Sequence, residues 1–405
     1  MKMNFKLVFA ASVAATLAFA GCRKSDSDKT VREVQIAGMF SLSGNWSTLG
    51  LNSEAAIELA ADDVNAYFDR MGTSYRIRTR VYDTKLDTAL ALNFMKEAYR
   101  QNIKYVVGPQ SSAEVGAIKS YADENNMIVV SQGSTAGTLA MAGDNIFRFC
   151  PSDALEGVAL AKSIYASGKR ALVTLSRDDA GNKGLQQSVA RAFQELGGTV
   201  VSLTPYGTEL TDFSEVTAEV KNRIITLNAA HAASEVAVYL ASFDECVALF
   251  KAAAAHEELM DVNWYGADGV ALSSALTADT EAAAFAAATG FFAPAFGLPA
   301  DAESKWKPLA ARIEARTGLA PDAFALAAYD AVWVWALNVA SLPSYSTRSF
   351  SDIKSNFIQQ ANSYYGATGA TLLNAAGDRS IGSFDYWGIV EQNGSYTWKL
   401  VGRSE

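Results

Sequence analysis

A chain of 405 residues, 50% hydrophobic and 19% charged, is long enough for two domains with substantial cores. Its net charge of −9 and the absence of a basic stripe exclude nucleic acid as a partner. Two histidines, His231 and His256, leave too few ligands for most zinc sites and too few bases for most Ser-His or Cys-His catalysis.

Lys2 and Lys6 precede an apolar stretch from Leu7 to Ala20, which ends in Phe19-Ala20-Gly21-Cys22. Residues 1–21 read as a secretory signal peptide. The apolar run is shorter than the roughly 20 residues a membrane span needs. The small residues before Cys22 resemble a bacterial lipobox, although Phe19 stands where that pattern prefers Leu. Lipidation of Cys22 would leave residues 22–32 as a polar tether to a membrane. A plain signal peptide with an incidental cysteine remains the other reading. Cys150 and Cys246 lie in different contexts, and both read as small buried apolar residues.

Strand and helix then alternate. Val34 to Phe40 reads as a strand, followed from about Leu51 by a helix with Ile57, Ala60, Ala61, Val64 and Phe68 on one face. Tyr75 to Asp83 is a strand and Thr88 to Gln101 a helix. Tyr105-Val106-Val107 runs into Gly108-Pro109-Gln110-Ser111-Ser112 and a helix to about Asn125. Met127 to Val130 runs likewise into Ser131-Gln132-Gly133-Ser134-Thr135, where a second helix is expected. Helix starts present unpaired N–H groups and partial positive charge, so two such turns side by side make a socket for a carboxylate. Ser112 and Thr135 equally suit plain helix N-caps.

Ile146 to Phe149 is a short crossover strand, after which a second series begins. Its helices are expected at Asp153 to Ser167, Gly184 to Leu196, Asp212 to Arg223 and Glu245 to Glu257. Its strands are expected at Ala171 to Ser176, Thr199 to Leu203, Val236 to Ala241 and Val262 to Tyr265. Asp322 to Ala340 is a long helix, and a hairpin across Gln392-Asn393-Gly394 joins Ser383–Val390 to Tyr396–Val401. The alternation implies an α/β fold with parallel sheets in two successive domains.

The ordered motifs Phe40-Ser41-Leu42-Ser43-Gly44, Val107-Gly108-Pro109-Gln110-Ser111-Ser112, Phe147-Arg148-Phe149-Cys150-Pro151-Ser152-Asp153, Gly197-Gly198-Thr199, Asp212-Phe213-Ser214, Tyr265-Gly266-Ala267-Asp268-Gly269 and Ala328-Tyr329-Asp330-Ala331 span nearly all of the chain after its leader. In order and spacing the chain resembles the substrate-binding proteins of branched-chain-amino-acid-type ABC importers, the type I periplasmic binding proteins. The resemblance implies two Rossmann-like lobes joined by a three-crossover hinge, with the ligand between them at the carboxyl ends of the strands. Lobe 1 is expected over 31–149 plus 294–370, and lobe 2 over 150–293 plus 371–405. A monomer without cofactor is expected, capturing a neutral, branched-chain or other apolar, amino acid for an ABC permease.

The resemblance also implies a site. Ser112 and Thr135 would donate to the α-carboxylate, within turns that include Gln110, Ser111 and Ser134. The Gly133 carbonyl and Asp268 would take the ammonium. Trp46 would wall the ligand; a surface aromatic is the alternative. On the second lobe, Gly181 stands where the family has an aromatic-glycine pair, and the strand-end aromatic falls on Ser242 or Phe243. Segment Lys221 to Ser234 is longer than the family pattern. The competing roles are an extracytoplasmic sensor or scaffold lipoprotein without transport. An enzyme is disfavoured: no Gly-x-Gly-x-x-Gly follows the first strand, and neither histidine is placed as a base.

Overall fold

The structure, a computed structural model, describes residues 31–404; the expected signal peptide, Cys22 and the expected tether up to residue 30 lie outside the described residues. The tether's expected end at Arg32 is already strand. The first sheet holds β1 (Arg32–Phe40), β2 (Tyr75–Asp83), β3 (Tyr105–Val107), β4 (Ile128–Ser131) and β5 (Ile146–Arg148), all parallel in the order β2-β1-β3-β4-β5. β3, β4 and β5 are buried along their whole length, as short apolar strands covered on both faces must be. One face is covered by α1 (Ser47–Met71), the other by α2 (Thr88–Arg100) and α3 (Ser112–Glu124). Ile57, Ala60, Ala61, Val64 and Phe68 are the buried stripe of α1, as their spacing predicts.

The second sheet begins with α4 (Asp153–Ala166), β6 (Ala171–Ser176), α5 (Ala180–Glu195), β7 (Thr199–Ser202), α6 (Ser214–Leu227) and β8 (Val236–Ala241). It continues with α7 (Cys246–Ala253), α8 (Glu257–Met260), β9 (Asn263–Gly266), α9 (Ser274–Ala278), α10 (Thr280–Ala288) and β10 (Phe292–Phe296). Helices α11 (Glu303–Thr317), α12 (Ala323–Ser341) and α13 (Phe350–Ser363) follow, then a two-stranded ribbon, β11 (Tyr365–Gly366) and β12 (Gly369–Ala370), and the closing hairpin β13 (Phe384–Gln392) and β14 (Ser395–Arg403). The second sheet's order is β14-β13-β10-β9-β8-β6-β7, with β13 antiparallel to both its neighbours. α12 is apolar and long enough to cross a membrane, yet it is mostly buried: Val332, Trp335, Ala336 and Val339 pack with Phe357 of α13 against the first sheet.

Several expected boundaries move. α5 starts at Ala180 rather than Gly184, because Asp179 accepts from the Asn182 amide (3.0 Å) and caps the helix early. No full helix follows Thr135; a single 3₁₀ turn, Gly137–Leu139, stands there. The carbonyls a helix would use are taken by the crossover: Arg148 Nη1 donates to Ala136 O (2.6 Å), and the Asp153 amide to Thr135 O (3.0 Å). The expected helix from Glu245 to Glu257 stops early, at Ala253, and the long segment from Lys221 is the end of α6 followed by a turn.

The lobe limits shift as well. β10 pairs Pro294 with Tyr386 in the second sheet, so the chain leaves that sheet after Phe296 rather than before Pro294. Residues beyond Thr371 stay beside β5, where Arg379 N donates to Arg148 O (2.9 Å) and Arg148 N to Gly377 O (3.0 Å). The chain re-enters the second sheet only at Phe384.

One guanidinium ties the three crossovers together. Arg379 donates to Phe149 O (3.3 Å) and Thr368 Oγ1 (2.9 Å), and its plane lies 4.5 Å from the Phe296 ring centroid. Beside it Arg148 and Asp378, both buried, form a bidentate pair at 2.5 and 2.6 Å. Both interactions fix the hinge's register; neither side chain reaches water to lose its charge cheaply.

Candidate functional site

The two lobes meet along the carboxyl ends of their parallel strands. β1 ends at Phe40, and the following loop carries Trp46 in the left-handed region (φ 59°). That conformation costs a non-glycine residue about 1–2 kcal/mol, so surrounding contacts must impose it. Gln110 Nε2 donates to Trp46 O (3.0 Å) from within the lobe, while the Trp46 amide donates to Asp244 Oδ2 (2.7 Å) across the cleft. The indole stacks on Phe243 of the second lobe with centroids 4.8 Å apart, and meets Phe324 edge-on at 6.5 Å. Phe243, rather than Ser242, therefore faces Trp46.

The turn after β3 needs Gly108: its φ is +94°, and a Cβ there would sit 2.1 Å from Met39 O. It delivers Gln110, Ser111 and Ser112. Gln110 is wholly engaged inside the lobe, accepting from the Ser41 amide (3.1 Å) as well as donating to Trp46. Ser111, not Ser112, is the N-cap of α3; it forms a capping box with Glu114, whose carboxyl burial pushes up to about 7. Ser112 Oγ is thereby left to face the second turn, where it lies 3.0 Å from Ser134 Oγ and accepts from the Ala136 amide (3.2 Å). The Ser134 amide is held by Ser131 Oγ (3.0 Å). A Cβ on Gly133 would approach Gln110 O at 3.0 Å and the Trp46 ring at 3.2 Å, so the indole edge rests on this glycine.

From the second lobe, Gly181 in the first turn of α5 comes close to Ser112, with its Cβ direction 3.5 Å from Ser112 Oγ. Asp268 follows β9 and is 4% exposed; the neighbouring Gly269 packs on the Phe243 ring and on Ser242 O. Ser242 Oγ is buried and without a hydrogen-bond partner among the described residues. Cys150 is a buried free thiol whose Sγ lies 3.3 Å from Ser134 O, and Cys246 is likewise free.

Sequence reasoning passed over three groups here. Asp153 and Glu156 lie in the first turn of α4, where acidic residues read as ordinary helix-start charges. Both are buried; burial pushes Asp153 up to about 7, and Glu156 rises well above the carboxylate range through burial and the charges of Asp268 and Asp153. Burial, then Asp153, pushes Asp268 up to about 8. The Thr135 hydroxyl and the Gly137 amide lie beside Asp153 and oppose its shift, but neither of its carboxylate oxygens has a hydrogen-bond partner among the described residues. Asp244 is the third: besides Trp46 it accepts from Ser273 Oγ (2.5 Å), and Thr48 Oγ1 meets Ser274 Oγ at 2.8 Å to complete the latch between lobes. Only folding reveals it, because its partner is 198 residues away.

Residues 52–392 match the model of the receptor family ligand binding region. An uncharacterized protein of Methanocaldococcus jannaschii is 26% identical over 404 residues, 95% of this chain and 94% of that protein. Among solved structures, the branched-chain amino acid transporter substrate binding protein LivJ of Streptococcus pneumoniae, in complex with isoleucine, superposes with a TM-score of 0.73 at 19% identity, covering 91% of this chain and 99% of that one. The leucine binding protein LivK of Thermotoga maritima gives 0.74 at 20% identity, covering 92% and 98%. The architecture is thus the two-lobed type I periplasmic binding fold.

Proposed function

Since the chain belongs to the receptor family ligand binding region family, we propose that it is the solute-binding component of an ABC importer, capturing a neutral amino acid between its lobes. The observation that carries this reading is the polarity of the cleft. The first lobe offers hydroxyls, Ser112 and Thr135, at and beside the start of α3. The second offers the buried carboxyl of Asp268 beside Phe243. A zwitterion fits such a pair of ends, its α-carboxylate on the hydroxyls and helix start, its ammonium on the acid. Trp46 and Phe243 supply apolar surface for a branched-chain or other apolar side chain. The solved LivJ structure holds isoleucine.

Capture involves no bond making. The lobes close by rotation about the three crossovers, and the closed form is the one a permease recognises. The protein acts outside the cytoplasm, held at a membrane by lipid on Cys22.

Calorimetric titration tests the proposal. The chain from residue 23 onward, unfolded and refolded to remove carried-over solute, is titrated with every neutral amino acid beside Asp268→Ala. One or a few should bind tightly, and the variant should lose on the order of 2–5 kcal/mol through the unpaired ammonium. A folded protein silent across the whole panel would overturn the amino-acid reading and favour a sensor or scaffold.

A further inference from the structure

Three carboxyls lie together, Asp153 and Glu156 on α4 and Asp268 after β9, each no more than 4% exposed. Asp268 donates its amide to Glu156 Oε1 (3.3 Å), which places the two side chains side by side. Four of their oxygens, Asp153 Oδ1 and Oδ2, Glu156 Oε2 and Asp268 Oδ2, are buried without a hydrogen-bond partner among the described residues. Among the described residues no lysine or arginine forms an ion pair with any of the three; Arg148 is paired with Asp378. The hydroxyl of Tyr239, fully buried on β8, is also unpartnered, and it feels the charge of all three acids. Space for Asp153 depends on Gly184, where a Cβ would lie 2.3 Å from Asp153 Oδ2. A buried, unpaired acid pair is a costly arrangement unless a cation or a shared proton occupies it.

We propose that Glu156 and Asp268 together form the ammonium end of the cleft, and that an ammonium taken up there displaces to solvent a proton that the two carboxyls hold in the empty protein. This rests on the amino-acid reading above and adds Glu156 to it as a ligand-binding residue. The balance is simple: the neutral acid loses one proton to solvent and becomes the carboxylate that pairs with the incoming cation.

The groups that face the pair are few. Asp153 adds like charge from the same helix turn, and Asp322, N-cap of α12, adds it to Asp268 from the first lobe. Tyr239 and Tyr386 approach Glu156 from β8 and β13, and the Cys150 thiol approaches Asp268 from the first crossover. Arg148, already paired with Asp378, and Asp179 act on Asp153. Burial and the like charges of Asp153 and Asp322 favour retention of a proton; the phenols and the thiol stay neutral, and the backbone amides of Asp268 and Gly269 oppose it only in part.

L-leucine serves as the probe, titrated calorimetrically at pH 6, 7 and 8 in buffers of different ionisation enthalpy. Binding should release about one proton, and affinity should rise up to about tenfold per pH unit across this range. Glu156→Gln should still bind leucine but with the release and the pH slope largely lost. Equal affinity at pH 6 and 8 with no buffer dependence would overturn the proposal. A second arm needs no ligand: melting of the empty protein from pH 5 to 9. Because the folded carboxyls hold protons the unfolded chain has lost, wild-type stability should fall as pH rises through this window, and fall less in Glu156→Gln. An unchanged pH profile in that variant would overturn proton sharing even if no amino acid bound, an outcome that would separately sink the amino-acid reading.

Discussion

The indole of Trp46 lies on the ring of Phe243 across the cleft, 4.8 Å between centroids and 27° between planes, so one aromatic pair joins the lobes. An aromatic pair contributes about 0.5–1.5 kcal/mol beyond the area it buries. Trp46→Ala should therefore weaken amino-acid affinity by about tenfold or more and leave the liganded protein more open. Small-angle scattering with and without ligand reads this directly; a variant that closes as fully as wild type would remove the stack from the closing mechanism.

Asp244 should act as a latch that touches no ligand. It holds the Trp46 amide and the Ser273 hydroxyl together. Hydrogen bonds to a charged group contribute about 1.5–3 kcal/mol. Asp244→Ala should speed ligand dissociation by one to two orders of magnitude while the association rate stays near wild type, as stopped-flow fluorescence of Trp46 would record.

The hinge pair carries a stability prediction. Removing one member of a buried ion pair costs about 3–5 kcal/mol, because the other is left charged and alone. Asp378→Ala should lower the urea midpoint by that equivalent. Asp378→Leu combined with Arg148→Met should recover much of the loss, a comparison that separates the charge effect from simple loss of packing.

Asp153 should set part of the acid–base behaviour of the empty protein. Its carboxyl is raised to about 7, against an ordinary value near 3.9 in the unfolded chain. The folded state thus holds a proton the unfolded state has released, and wild-type stability falls as pH rises from about 4 to 7. Asp153→Asn removes that fall and should be the more stable protein at pH 8, by up to a few kcal/mol. Thermal melts at pH 5 and 8 decide it; a variant no better at pH 8 would show that Asp153 ionises freely.

Strand–helix alternation reads directly from the chain because each element's buried stripe is a local pattern. β2, β3, β6 and β8 match their expected spans to the residue. Elements without such a pattern are not legible: α10 has six alanines among its nine residues, α11 is polar, and β10 contains a proline. The helix expected after Thr135 failed for a non-local reason, since Arg148 and Asp153 claim its carbonyls from the crossover.

The site divides in the same way. Ser112, Thr135 and Asp268 stand at strand ends, and strand ends are visible in sequence because burial stops there. What only the tertiary structure decided is which of these groups remain available. Gln110 and Ser111 are consumed by Trp46 and Glu114, Phe243 is chosen over Ser242 by the indole opposite, and Glu156 is brought beside Asp268 from 112 residues away. Local periodicity fixes what a residue's own backbone does, whereas desolvation and charge coupling depend on distances that exist only once both lobes are packed.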